Sequence, residues 1–272
     1  MKTRVAVVGC GKMGEIIASG MLRTGLSPGD VVVSDVSEQR VRDAVEKYGF
    51  EAAQGNVEAV RNVAVVLLAV KPQDMENVLQ EIGGAVTPAQ LVISIAVGLP
   101  TRFFEERLPP GTPVVRVMPN VAAQVGEGMA GISGGREATR EHLDLAERLL
   151  SGVGKTVKVA EDYMDAVAAI SGSGPAYFAL FAEALVEAGV MTGLPRTVAG
   201  DLVAQTMLGT AALIRDGGMQ PAQVREAVTS PGGTTTMALR ELERRGVRAA
   251  VLDAIQAAVD RSKMLGGGLF RS

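Results

Sequence analysis

The amino-acid sequence predicts an α/β N-terminal domain, residues 1–160, built on a mostly parallel, doubly wound sheet, followed by an all-α C-terminal domain, residues 161–272. Three observations carry this. Up to about residue 160, short β-rich runs alternate with helix-periodic stretches, the pattern of a parallel sheet covered on both faces. After Ala160-Glu161-Asp162 the strand signals stop, and alanine-rich helical segments continue to Met264. The first apolar run, Val5-Ala6-Val7-Val8, leads directly into a glycine-rich turn that opens an amphipathic stretch at 15–22.

Taken in order, strands are expected near 4–8, 31–34, 63–70, 91–95, 113–118 and 155–159. Helices are expected between them near 12–24, 37–48, 73–83, 101–107 and 137–151. Ser27-Pro28-Gly29-Asp30 and Pro109-Pro110-Gly111 supply the punctuation. In the second half the expected helices are 163–170, 175–190, 196–214, 221–228, 236–245 and 248–265. Several are so rich in alanine that they present more apolar surface than one thin layer hides, which predicts a homo-oligomer formed through this half.

The turn reads Gly9-Cys10-Gly11-Lys12-Met13-Gly14. Its first glycine permits a tight turn, its second lets backbone N–H groups approach a pyrophosphate, and its third lets helix and strand pack closely. Asp35 ends the second apolar run, Val31-Val32-Val33-Ser34, at the interval where a ribose-binding acid belongs. Strand, turn, helix, strand and acid in register predict a Rossmann dinucleotide-binding domain.

Composition bounds the remaining classes. Hydrophobic residues at 47%, charged residues at 21% and a net charge of −3 describe a globular chain with no basic patch to recruit nucleic acid or an anionic membrane. The longest apolar run, 63–70, is too short to span a bilayer, and no leader pattern precedes the first strand, so a cytoplasmic location is expected. One cysteine excludes an intramolecular disulfide, and one histidine leaves no usual soft metal cluster, so no metal is expected. Cys10 reads as filler in the tight turn, and His142 as a residue on the solvated face of its helix.

Ligands of an open parallel sheet bind beyond the carboxyl ends of its strands. After Ala69-Val70 comes Lys71-Pro72. The proline biases Lys71 toward an extended backbone, at the rim where its ammonium meets a phosphate, ribose or nicotinamide amide, or simply caps the strand end. Ala96-Val97-Gly98 is small enough for a nicotinamide ring to lie against it. Asn120, after Met118-Pro119, either offers its amide to cofactor or substrate or completes a turn. Asn56 either reaches the adenosine side or caps its helix.

Two clusters interrupt the helical half. Ser171-Gly172-Ser173-Gly174-Pro175 reads as a helix-to-helix corner or a site, with Pro175 suited to a first helical turn. In 229–236, Ser230-Pro231-Gly232-Gly233 precedes Thr234, Thr235 and Thr236 at a helix start. That arrangement presents free N–H groups and positive potential suited to a carboxylate, or else is a capped turn.

The chain resembles the pyrroline-5-carboxylate reductase family in five motifs that occur in the family's order. These are 9–14, Ala69-Val70-Lys71-Pro72-Gln73, Arg116-Val117-Met118-Pro119-Asn120, Ser171-Gly172-Ser173-Gly174-Pro175-Ala176-Tyr177 and Ser230-Pro231-Gly232-Gly233-Thr234-Thr235, in a likeness that runs to Lys263-Met264-Leu265. The resemblance implies reduction of a cyclic imino acid to L-proline by NADH or NADPH, the last step of proline biosynthesis, in a homodimer often assembled into a larger ring. The chain departs from many relatives after Met-Pro-Asn, where Val121-Ala122 replaces threonine and proline. Asp35 leans the cofactor toward NADH, because a carboxylate repels a 2′-phosphate, whereas Ser34, Ser37 and Arg40 form an alternative phosphate pocket.

On this reading the substrate carboxylate docks on N–H groups around Gly233, Thr234 and Thr235, beside Ser230 and Gly232, and Thr235 hydrogen-bonds the ring nitrogen. The enzymatic alternatives are an imine reductase or a β-hydroxyacid dehydrogenase of similar architecture. The latter places a catalytic lysine in the helical domain, where 176–190 holds Glu183 and Glu187 but no lysine. A non-catalytic dinucleotide-sensing regulator is the alternative from another class.

Overall fold

The computed structural model describes residues 3–268, so the outer ends of the two expected domain ranges lie outside the described residues. The first half alternates β1 (Val5–Val8), α1 (Lys12–Arg23), β2 (Val31–Ser34), α2 (Glu38–Tyr48), β3 (Glu51–Ala52), α3 (Asn56–Ala59), β4 (Val65–Leu68), α4 (Met75–Ile82), β5 (Leu91–Ser94) and α5 (Thr101–Glu105). It continues through β6 (Val114–Met118), β7 (Gly128–Gly134), α6 (Arg140–Leu150) and β8 (Gly154–Lys158) to the short helix α7 (Met164–Val167). Five helices follow: α8 (Gly174–Met191), α9 (Arg196–Arg215), α10 (Pro221–Ala227), α11 (Thr234–Arg244) and α12 (Val247–Gly268).

The strands form one eight-stranded sheet in the order β3-β2-β1-β4-β5-β6-β7-β8. All neighbours are parallel except β6 and β7. The two strands at the centre, β1 and β4, are apolar throughout because both faces are covered, and the residues of the sheet alternate between two cores. Val5, Val7, Val31, Val33, Leu67 and Ile93 pack with Ile17 and Met21 of α1 and Ala146 and Leu149 of α6. Ala6, Val8, Val66 and Leu68 pack on the other face with Ala59, Met75, Leu79 and Phe104. At the centre of the sheet the order reverses between β1 and β4, which opens a crevice beyond the carboxyl ends.

Two strands were not expected. β3 is a two-residue exposed edge. β7 reads Gly-Met-Ala-Gly-Ile-Ser-Gly, a composition poor in β-formers, and its glycines serve close approach instead. A Cβ at Gly131 would come within 2.6 Å of Val167 on α7, and one at Gly128 within 2.7 Å of the Val153 carbonyl. The short link 119–127 returns the chain directly, and this makes β7 antiparallel to β6 without a crossover helix. His142 also has a structural task, since its Nδ1 accepts the N–H of Thr139 at 3.0 Å and completes the cap of α6.

By compactness the chain forms two units, residues 1–173 with 258–272 and residues 174–257. In the first, the Ser262 hydroxyl donates to Asp165 Oδ1 at 2.6 Å. In the second, α8 packs on α9 where Gly189 meets Ala199; a Cβ on Gly189 would lie 3.0 Å from that methyl. Two helical stretches, Glu161–Met191 and Arg196–Arg215, are long and apolar enough by length and composition to cross a membrane.

Candidate active site

The glycine turn has three different jobs. Gly9 has φ +101°, donates its N–H to the Ser34 carbonyl at 2.8 Å, and would put a Cβ 2.9 Å from the Ala69 carbonyl group. Gly14 has no room either, since a Cβ would lie 2.1 Å from the Gly9 oxygen, so strand and helix touch there. A Cβ on Gly11, by contrast, would meet nothing within 4 Å. The surface at Gly11 is therefore open to a ligand that backbone alone approaches closely, as a pyrophosphate requires.

Glu15 makes the first bond of α1, to the Gly11 carbonyl at 2.9 Å, which leaves the N–H groups of Lys12, Met13 and Gly14 ahead of it. The one acid in this turn is drawn off. Lys47 and Tyr48 each bond Glu15 Oε1 at 2.9 Å and hold its pKa below the usual carboxylate range, so the cation and not the helix end balances this charge. Cys10 is buried, and burial, then the neighbouring Asp35, pushes its thiol up to about 12. Such a thiol is no nucleophile.

Asp35 sits beside the turn with its side chain 5% exposed. Its Oδ2 accepts the Cys10 N–H at 2.7 Å and its Oδ1 the Ser37 N–H at 2.8 Å, with Arg40 Nη1 at 3.5 Å. The acid thus braces the turn. Ser34 donates its hydroxyl to Asn56 Oδ1 at 2.9 Å, and Asn56 Nδ2 donates to Glu81 Oε2 at 2.8 Å. Asn56 is not the cap of its helix, because Gly55 holds that position in an extended conformation.

On the other side of β1 the structure gathers four segments that are distant in sequence. A cavity of about 230 Å³ is lined by Met13, Ala69, Val70, Lys71, Pro72, Ala96 and Val97, together with Ile95, Met118 and Pro119, which the sequence reading did not single out. Lys71 is exposed and extended at φ −67°, ψ 149°, as the following proline requires. Asn120 is not among the lining residues, because its amide is committed elsewhere in the chain. Nδ2 donates to the Ser171 carbonyl at 3.0 Å, and Oδ1 accepts the Met129 N–H at 3.2 Å.

The 171–175 cluster, read as a helix-to-helix corner or a site, makes no corner, since it starts in a π-helical turn and runs on into α8. Residues 168–172 are π-helical, Ser173 N–H donates to the Ala168 carbonyl at 2.9 Å, and Ser173 stays in the right-handed region at φ −87°, ψ −18°. In the second unit α11 begins at Thr234, two residues earlier than expected, with Gly233 at the cap and Gly232 at φ +72°. Gly233 N–H donates to the Ser230 carbonyl at 3.0 Å, and the Thr236 hydroxyl donates to the same oxygen at 2.7 Å. Gly233 therefore shapes the turn and is withdrawn from the expected anion donors. The first intrahelical bond runs from Met237 to Gly233 at 3.3 Å, so the N–H groups of Thr234, Thr235 and Thr236 precede it.

A doubly wound sheet with such a turn at its switch point, followed by a unit of helices, defines a nicotinamide-dinucleotide-dependent oxidoreductase. Residues 4–98 match the family model "NADP oxidoreductase coenzyme F420-dependent", and residues 161–265 match "pyrroline-5-carboxylate reductase dimerisation". The chain is 43% identical to a pyrroline-5-carboxylate reductase of Mycobacterium tuberculosis over 96% of both chains. Among solved structures it superposes on the Coxiella burnetii pyrroline-5-carboxylate reductase with a TM-score of 0.92, at 36% identity and with 97% of this chain and 99% of that one covered. It also superposes on Plasmodium falciparum pyrroline carboxylate reductase with NADP bound, with a TM-score of 0.87, 29% identity and coverage of 98% and 99%. The chain belongs to the pyrroline-5-carboxylate reductase family.

Proposed function

We propose that this chain reduces 1-pyrroline-5-carboxylate to L-proline with NADH or NADPH, the last step of proline biosynthesis, as a cytoplasmic enzyme. The observation that carries the reading is the 43% identity across 96% of both chains, because a shared fold alone would leave many activities open.

The glycine turn of residues 9–14 receives the pyrophosphate on the N–H groups that open α1, and Ser34, Asp35 and Asn56 face the adenosine ribose. Ala69, Val70, Lys71, Pro72, Ala96 and Val97 form the wall for the nicotinamide. A bound NAD(P)H supplies the hydride, and the protein supplies placement.

Ser230, Gly232 and Gly233 build the turn that presents the start of α11. The substrate carboxylate docks on the N–H groups of Thr234 and Thr235, where helix potential and unpaired donors favour an anion. The Thr235 hydroxyl bonds the ring nitrogen and relays a proton from water, since a neutral hydroxyl is a weak acid by itself. A protonated nitrogen makes the imine carbon electrophilic, and holding it in one orientation supplies the rest of the rate.

Asp35 favours NADH by accepting from a free 2′-hydroxyl and repelling a 2′-phosphate. The Plasmodium falciparum relative holds NADP. Steady-state kinetics with both cofactors decide the matter, and a strong NADPH preference would remove Asp35 from ribose selection.

Residues 161–272 bind substrate and form a homodimer, with a larger ring as a further assembly. The dimerisation-family match over 161–265 supports a second copy, not a bilayer, as the cover for α8 and α9. So do the charges within these helices, Glu183, Glu187 and Asp201, which a hydrocarbon core excludes. The test of the whole reading is an absorbance assay of reduced nicotinamide with pyrroline-5-carboxylate, NADH and NADPH in parallel. Oxidation of either cofactor with formation of proline is expected, and a flat trace with both overturns the reading.

A further inference from the structure

We propose that Asn120 is a positioning residue whose amide replaces the hydrogen-bond donor that Pro175 removes from the helix. It thereby seats the π-helical turn at 168–172 against Met118 in the wall of the strand-end cavity.

In the α-helical register of α8 the carbonyl of residue 171 would accept from the N–H of residue 175, which proline lacks, and the π register of 168–172 shifts the next N–H, that of residue 176, toward the same carbonyl; Pro175 removes the first of these two donors. Asn120 Nδ2 stands 3.0 Å from that carbonyl oxygen. The Ser171 hydroxyl is turned the other way, donating to the Val167 carbonyl at 3.1 Å. The orientation of the Asn120 amide is fixed from both ends, because Met129 N–H needs an acceptor and the Ser171 carbonyl needs a donor. A π-turn leaves the regular helical register, is rare, and recurs at functional sites.

What it is held against matters for the reaction. A Cβ on Gly172 would lie 2.7 Å from the Met118 methyl, the flexible tip of that side chain, and one on Gly131 would lie 2.6 Å from Val167, so the turn rests on Met118 and α7 packs closely on β7. Met118 lines the cavity with Ala96, Val97 and Lys71. Releasing the turn therefore moves the wall on which the reactive ring rests, while the pyrophosphate contacts at 9–14 stay as they are. Transfer rates fall steeply with small displacements of reacting atoms, whereas affinity is carried by the rest of the dinucleotide.

The inference rests on the reductase reading only for its turnover readout. Asn120→Ala is expected to lower kcat about tenfold while the Kd for NAD(P)H, by fluorescence titration, changes less than about twofold. Pro175→Ala returns an N–H to position 175, so in that background Asn120→Ala should cost less than about threefold in kcat. Amide hydrogen exchange of a peptide covering 164–173 should quicken in Asn120→Ala and slow again in the double variant, whether or not turnover is measurable. A Kd that rises as far as kcat falls would make Asn120 a direct cofactor contact. A double variant that exchanges and turns over like Asn120→Ala would end the proposal. Should Asn120→Ala not fold, Asn120→Asp keeps the acceptor for Met129 and loses the donor until its carboxyl is protonated. Protection of 164–173 relative to the wild type at the same pH must then rise as pH falls, and a ratio of the two exchange rates that ignores pH would equally end it. Absence of wild-type turnover sinks the reductase reading and leaves the exchange result to decide this one.

Discussion

Val5, Val33, Leu67 and Ile93 in the sheet are at most 1% exposed, whereas Phe178 and Leu180 on α8 are each 65% exposed and Leu202 and Leu208 on α9 are 54% and 63% exposed. Both regions carry large apolar side chains, yet only the first buries them. The sheet has helices on both faces, so each strand residue finds a cover whichever way it points. Helix α8 is apolar on most of its circumference, and within 174–257 the one buried apolar side chain is that of Ala199. A helix apolar all round is a buried helix. The first unit therefore completes its own core and is self-sufficient, whereas the second presents exposed apolar side chains within the stretch, 161–265, that matches the dimerisation family.

The largest effect should come from charging that surface. Phe178→Glu with Leu202→Glu forfeits ~2 kcal/mol of burial per side chain in each subunit, before any penalty for the charges. Light scattering after gel filtration should show loss of the dimer, with activity reduced more than about a hundredfold. A dimer of unchanged size and activity would place the partner surface elsewhere.

Next comes a pair of changes inside the self-sufficient unit. Gly14→Ala drives a methyl toward the Gly9 oxygen, and such overpacking costs about 1–3 kcal/mol or more. The melting temperature should fall, and cofactor affinity should fall about a hundredfold with it. Gly11→Ala fills open space, so the melting temperature should hold while the Kd for NAD(P)H rises about tenfold. Equal melting temperatures for the two would show that the glycines are not doing different jobs.

A smaller and more selective effect is expected at α11. Thr235→Ala should lower kcat about tenfold through one lost hydrogen bond to the reacting ring, with NAD(P)H fluorescence binding intact. Unchanged turnover would remove Thr235 from the chemistry.

The smallest effect concerns Cys10. With its thiol pushed up to about 12, it stays protonated through neutral and mildly alkaline pH. At pH 8.5 the thiolate is roughly one part in three thousand, so iodoacetamide should label it slowly and leave activity in place. Rapid labelling would mean that the turn opens in solution.

The glycine turn, the acid at Asp35 and the strand-end residues Lys71, Ala96 and Val97 were all legible in the sequence, because each belongs to a strand–turn–helix unit of about ten residues. Helix α8 was legible too, within a residue at each end. β7 was not, since its glycines answer to Val167 and Val153, which approach from elsewhere in the chain. Met118 and Pro119 were passed over as cavity residues because nothing polar marks them. Nor could the sequence assign Asn56 to Glu81 or Asn120 to Ser171, pairs 25 and 51 residues apart.

By itself the sequence determined the fold class, the dinucleotide turn and the family, because hydrophobic period, glycine geometry and ordered motifs are local properties of the chain. Only the tertiary structure decided where the polar groups of Asp35, Asn56 and Asn120 are spent. A buried donor or acceptor must take whatever partner the packing brings within 3 Å or so, and that choice is made when strands and helices from distant parts of the chain close on one another.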